Sequence, residues 1–308
     1  MTNPSTSRTL RAQLEFSDPQ VVRDAIETAL SIDDRSVIGD LLKGASFVTH
    51  VFRHGEAFGD SAERFVGGHE YRGPEDTRHI ADLAYLRLLA ASDSPLRDVG
   101  AIAIDTGRFP SPALPFDDLS WLSEFPKLSK VHLFGKHITN EQLRSLVDVA
   151  LGQISVISYG KNLVLPGHRS VQTILGRGID FEPGGQWPEL RSVSLGHHGA
   201  LDDLFDGSPN LTDLRIDTSP SNWISGLEYS QRDLALVRSA TLERATLKGA
   251  HFVQSSPELV ELELGGRAAV TGTPNLETLR LGEVQFELGT ELDRLVQETG
   301  AHVELIDG

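Results

Sequence analysis

Imidazoles are the reactive groups that this sequence places most suggestively. His132 and His137 flank LFGK, and His197-His198 stand together just after SVSLG. Beside a carboxylate, such side chains can move a proton or ligate a metal. Neighbouring residues on a strand point to opposite faces, so His197 and His198 could share one ion only by turning out of the strand. Packing and surface roles compete for all four. Cysteine is absent, which removes thiol nucleophiles, thiolate metal sites and disulfides. No G-x-S-x-G occurs, so there is no nucleophile elbow. Gly176, Gly178, Gly184 and Gly185 invite a phosphate loop, yet neither G-x-x-x-x-G-K-[ST] nor G-x-G-x-x-G is present. Gly135-Lys136 and Gly160-Lys161 fail as well, because His137 and Asn162 stand where a hydroxyl residue is needed. The expectation is a non-enzymatic chain without catalytic residues, cofactor or metal. Its rival is a His/carboxylate enzyme or metal-binding protein, which requires two or more of these imidazoles to converge in a pocket.

What would position such groups is a recurring phrase: a proline, an acidic or amide residue, then L-x-x-L-x-L. It reads Leu211, Leu214, Ile216 in PNLTDLRID; Leu259, Leu262, Leu264 in PELVELELG; and Leu276, Leu279, Leu281 in PNLETLRLG. Leu190, Val193, Leu195 and Leu128, Val131, Leu133 repeat it, with weaker copies at Val99, Ile102, Ile104 and at Leu242, Ala245, Leu247. Another weak copy is placed at Ile154, Ile157, Tyr159. A leucine triplet at fixed phase marks units that bury their apolar edge only by stacking. These residues resemble the leucine-rich repeat superfamily across about 96–308. The resemblance implies an α/β fold: an irregular solenoid with one curved parallel sheet, and binding at its concave face. The Asn usual after the triplet is mostly replaced by Gly, as at Gly196, Gly265 and Gly282.

First leucines at 242, 259 and 276 lie 17 residues apart. That leaves too little chain for a helix on the return arm, which should be extended chain and tight turns. Longer intervals predict helices. One starts at Thr139 or Asn140, with Leu143, Leu146, Val147 and Ala150 apolar and Gly152 ending it; another is TELDRLVQETG, capped by Thr290 and leading to a strand at Val303 and Leu305. Residues 163–187 read as an irregular insertion.

If the triplets point inward, the positions between them line the other face. The third position gives Lys130, Val156, Ser192, Asp213, Arg244, Glu261 and Thr278; the fifth gives His132, Ser158, Ser194, Arg215, Thr246, Glu263 and Arg280. Asp213 beside Arg244 beside Glu261, and Glu263 beside Arg280, predict ion pairs across neighbouring strands. The partner-binding candidates on this face are Lys130, His132, Asp213, Arg215, Arg244, Glu261, Glu263 and Arg280. A solvated ladder of such pairs, worth under about 1 kcal/mol each, accounts for the same residues.

Residues 1–95 read as a helical cap with a degenerate first repeat, and 96–308 as the repeat stack, together one continuous unit. Asp18-Pro19 opens a helix with Val22, Ala25, Ile26 and Ala29 on one side; Asp33 or Asp34 opens a second, closing at Lys43-Gly44. Phe47, Val48, Val51 and Phe52 read as the degenerate strand, and 76–91 as an apolar helix burying Ile80, Leu83, Leu86, Leu89 and Ala90. Two unpatterned segments carry aromatics suited to interface anchors: Phe58, Phe65 and Tyr71 in 54–75, and Phe109, Phe116 and Trp121 in 107–121. Each set could equally fold onto its own protein.

Net charge is −16 in 308 residues. Such a field repels phosphate backbones and anionic membrane surfaces and steers basic proteins favourably, so the expected partner is a protein and not nucleic acid. No apolar run approaches the roughly 20 residues of a membrane span, so neither a membrane contact nor a location other than the cytoplasm is expected. Arg far outnumbers Lys, and with abundant Ala, Gly and Asp this usage suits a high-GC bacterium. The function these features imply is protein recognition, either as an adaptor or as an immunity-type or inhibitory protein neutralising a basic partner.

Overall fold

The structure is a computed structural model, described here for residues 4–16, 18–32, 36–43, 50–52, 63–64, 78–106, 116–159, 162–196, 201–217, 235–286 and 292–306. It is mixed α/β with mostly parallel strands, and the chain divides into two compact units, Met1–Tyr159 and Gly160–Gly308. The sequence reading draws its line at 95/96, inside the first of these.

In the first unit, α1 (Pro4–Leu14), α2 (Pro19–Ser31), α3 (Ser36–Lys43) and α4 (Arg78–Ala90) share a core. The Asp18 carboxylate accepts from the Gln20 N–H at 2.9 Å, and Pro19 gives up no hydrogen bond in the first turn, so α2 starts where the sequence says. Val22, Ala25, Ile26 and Ala29 are buried as one stripe. On α4 the expected Ile80, Leu83, Leu86, Leu89 and Ala90 are buried, and Tyr85 and Leu88 join them. Helix α1 was not expected: only Leu10 and Leu14 face the core, and Arg11 ties it to α3 by donating to the Asp40 carbonyl at 2.6 Å.

The strands of this unit are β1 (His50–Phe52), β2 (Glu63–Arg64), β3 (Ala101–Asp105), β4 (Lys130–Gly135) and β5 (Gln153–Ser158). Strands β3, β4 and β5 run parallel, with Ile102, Val131 and Ile154 in one inward column and Ile104, Leu133 and Val156 in the next. The triplet here is therefore Leu151, Ile154, Val156, and the frame 154/157/159 is corrected by three residues. The outer positions are Gln153 and Ser155 in place of Val156 and Ser158. Strand β1 runs antiparallel to β3, whereas the repeat strands are parallel to one another. Between β4 and β5, α5 (Asn140–Ser145) begins with a capping box in which Thr139 and Gln142 satisfy each other's backbone N–H. It is shorter than its apolar pattern suggested, and Ala150 lies exposed beyond it.

The second unit contains β6 (Leu163–Leu165), β7 (Thr173–Arg177), β8 (Ile179–Phe181), β9 (Ser192–Leu195), α6 (Asp202–Gly207), β10 (Asp213–Asp217), β11 (Ala235–Val237), β12 (Arg244–Gln254), β13 (Glu261–Thr271), β14 (Thr278–Phe286), α7 (Leu292–Thr299) and β15 (His302–Leu305). Its main ladder is β7-β9-β10-β12-β13-β14-β15, parallel at every step. Strands β12 and β13 stay in register from Arg244↔Glu261 to Gln254↔Thr271, so the 17-residue spacing is itself the register. Leu214, Ala245, Leu262 and Leu279 form one buried column, and each buried leucine is worth roughly 1.5–3 kcal/mol.

The return arms of this region are extended chain and tight turns, as the spacing required. Strands β12 and β13 bend at Gly249 (φ 136°) and Gly266 (φ 88°) and continue, so Val253 and Val270 are buried beyond the bend. A Cβ on Gly266 would overlap the carbonyl oxygen of Gly249, its register partner on β12. Within 163–187, read as an insertion, β7 is a further rung: Ile174 pairs with Val193 and Gly176 with Leu195. Glycine stands there in place of a leucine because the Ile179 side chain fills the inward space.

Candidate functional site

The alternation that buries the triplets leaves two rows of side chains on the other face of the second unit. One row is Thr173, Ser192, Asp213, Arg244, Glu261, Thr278 and His302; the next is Leu175, Ser194, Arg215, Thr246, Glu263, Arg280 and Glu304. The central members line a groove of about 420 Å³ on β9, β10, β12, β13 and β14. Six candidates meet there: Asp213, Arg215, Arg244, Glu261, Glu263 and Arg280.

Most of these charges are held by one another. Arg244 Nε donates to Asp213 Oδ1 at 2.5 Å, as their register predicted. Partial burial pushes the Asp213 carboxyl up, but hydrogen bonds from Arg244 and Thr212 outweigh it and hold the group below its ordinary value. Its hydrogen bond to the Asp213 carboxylate in turn raises Arg244. Glu263 and Arg280 are register neighbours, yet the ion pair expected between them is replaced. Arg280 reaches diagonally to Glu261 at 3.4 Å and along its row to Glu304 on β15 at 2.8 Å. A long guanidinium arm spans the diagonal easily, and the pattern had not assigned Glu304 a partner. Glu263 instead faces Lys248 at 3.6 Å. Arg215 is exposed and makes no ion pair among the described residues.

Lys130 and His132 belong to β4 in the first unit. His132 Nδ1 lies 2.6 Å from the Ser155 hydroxyl, and its ring is 5.1 Å from that of Phe134. Burial lowers the imidazole from 6.5 to about 4, since charging it would cost solvation. Ser155 is 2% exposed. A hydroxyl so enclosed has no route to a substrate, and an imidazole titrating near 4 is a weak base at neutral pH. The two side chains are thus in hydrogen-bond contact across β4 and β5, with the neutral imidazole favoured.

Of the aromatic candidates, Phe58, Phe65, Tyr71 and Phe109 lie outside the described residues, as do His197 and His198. Trp121 is corrected from a presented anchor to a core residue: it is 7% exposed, its indole N–H donates to the Asp118 carbonyl at 3.0 Å, and Arg87 lies over its ring. Phe116, half-buried, packs edge-on against it at 6.2 Å. Among the described residues no group of three His, Cys, Asp or Glu side chains could hold a metal ion, and no helix is long and apolar enough to cross a membrane. Of the glycines suggestive of a phosphate loop, Gly178 and Gly184 take positive φ (67° and 72°), Gly176 leaves room for the Ile179 side chain, and Gly185 packs closely, since a Cβ there would meet the Glu182 carbonyl oxygen. No family model, curated protein or solved structure gives a significant match to this chain.

Proposed function

We propose that this chain is a non-enzymatic, leucine-rich-repeat-like recognition module that binds a protein partner through the outer face of its second-unit strands. The observation supporting this reading is the groove. Side chains from five strands line a shallow polar depression, and cross-strand ion pairs hold many of them before any partner arrives. Side chains already ordered lose less entropy on binding, which favours affinity and fixes the orientation of the partner. The experiment is affinity capture with the full chain as bait, wild type against Arg215→Glu/Arg280→Glu, with circular dichroism as the folding control. A protein captured by the wild type and lost from the variant supports the groove; one retained by both places recognition elsewhere.

The net charge of −16 favours a narrower version, an immunity-type or inhibitory protein that neutralises a basic partner. In that case the association rate with the captured protein falls steeply as salt rises. A rate indifferent to salt removes this version and leaves the broader one standing.

A further inference from the structure

Three arginines line the groove, and they differ in one respect. Arg244 is bound to Asp213, and Arg280 to Glu261 and Glu304. Arg215, on β10, has no acid among the described residues. Its register neighbours are two hydroxyl residues, Ser194 on β9 and Thr246 on β12, with Ser192 one step back on β9. None of these hydroxyls is engaged by another side chain among the described residues. We infer that Ser194, Arg215 and Thr246 form a carboxylate-binding site that takes one Asp or Glu side chain of the protein partner. This deepens the recognition reading above and rests on it.

The chemistry follows from the donors. A guanidinium offers a planar fork that matches a carboxylate in bidentate fashion, and the flanking hydroxyls can each donate to a carboxylate oxygen. Neighbouring strands stand about 4.8 Å apart, so an oxyanion seated over Arg215 lies within reach of both hydroxyl rows. Charge chooses the occupant. Asp213, Glu261 and Glu263 already face Arg244, Arg280 and Lys248, so among the described residues Arg215 is the groove arginine without an ion pair. A single negative charge balances it. A phosphorylated side chain carries about −1.5 to −2 and would meet those three acids with charge to spare.

The test is an NMR titration of the full chain, following the Nε–Hε resonance of Arg215, identified by its absence in Arg215→Lys. The probes are N-acetylglutamate N-methylamide, its glutamine counterpart and its phosphoserine counterpart, at constant ionic strength. The glutamate probe should give a saturable shift with a millimolar Kd and the glutamine probe none. Ser194→Ala/Thr246→Val should weaken the glutamate probe at least about threefold. Equal response to glutamate and glutamine, tighter binding of phosphoserine, or indifference to the hydroxyl substitutions each overturns the proposal. Because the titration needs no partner, its failure is separable from that of the recognition reading: a captured protein still lost from Arg215→Glu/Arg280→Glu leaves that reading intact.

Discussion

Adding one methyl group at Gly266 should expose how closely the neighbouring strands β12 and β13 approach each other. Gly266 has φ 88°, where an L side chain costs roughly 1–2 kcal/mol from its own backbone. Its Cβ would also overlap the Gly249 carbonyl oxygen and come within 3.1 Å of the Gly249 backbone nitrogen. Those are main-chain atoms of a strand paired on both sides, so they cannot swing away as a side-chain tip could. Relief requires the two strands to part locally, an overpacking cost of about 1–3 kcal/mol. Gly266→Ala should therefore destabilise by about 3 kcal/mol in all. Gly300 separates the two contributions: its φ is 73°, but a Cβ there meets nothing within 4 Å, so Gly300→Ala should cost about 1 kcal/mol. The assay is native-state hydrogen exchange at the Leu247 and Leu264 amides, which reports opening of this unit without assuming that the whole chain unfolds together. Equal costs for the two substitutions would refute the stacking argument, because φ strain alone would then explain both.

Other perturbations test separate contacts. His132→Gln should flatten the acid sensitivity of the first unit. The neutral imidazole is favoured in the fold, so its contribution is complete above 6.5 and is lost as pH falls toward about 4, up to about 3 kcal/mol, read as urea midpoints of wild type and variant across that window. A double-mutant cycle on Asp213 and Arg244 should give a coupling of only about 0.2–1 kcal/mol, shrinking with added salt, because both side chains keep contact with water. Thr139→Ala should cost about 1 kcal/mol by dismantling the capping box of α5, measurable as a drop in thermal midpoint.

The sequence and the structure agree most closely where apolar spacing and a capping signal coincide. Asp18-Pro19 with the Val22/Ala25/Ile26/Ala29 stripe made α2 plain, and the rungs at 211, 242, 259 and 276 were legible because each keeps all its inward positions apolar. Helix α1 was hidden because two leucines on an otherwise polar segment give no periodicity to read. The frame at β5 slipped because ISVIS carries aliphatic residues at both possible phases, and only pairing with β4 selects Ile154 and Val156. Strand β7 was missed because Gly176 replaces the last leucine and borrows its volume from Ile179, a substitution visible only in three dimensions. For the candidate site, strand alternation fixed which residues share the groove. It did not fix their partners, since Arg280 is long enough to bypass its register neighbour Glu263 and reach Glu261 and Glu304.

The whole account depends on neighbouring repeats being paired in phase, because only then do the intervening residues converge on one groove. Methyl–methyl nuclear Overhauser contacts along Leu214, Ala245, Leu262, Leu279 and Val303 test that directly. Pairing in phase predicts contacts between each successive pair in that column. Contacts from Leu262 to Leu281 without any to Leu279, or no contacts between the 259 and 276 repeats, would contradict it.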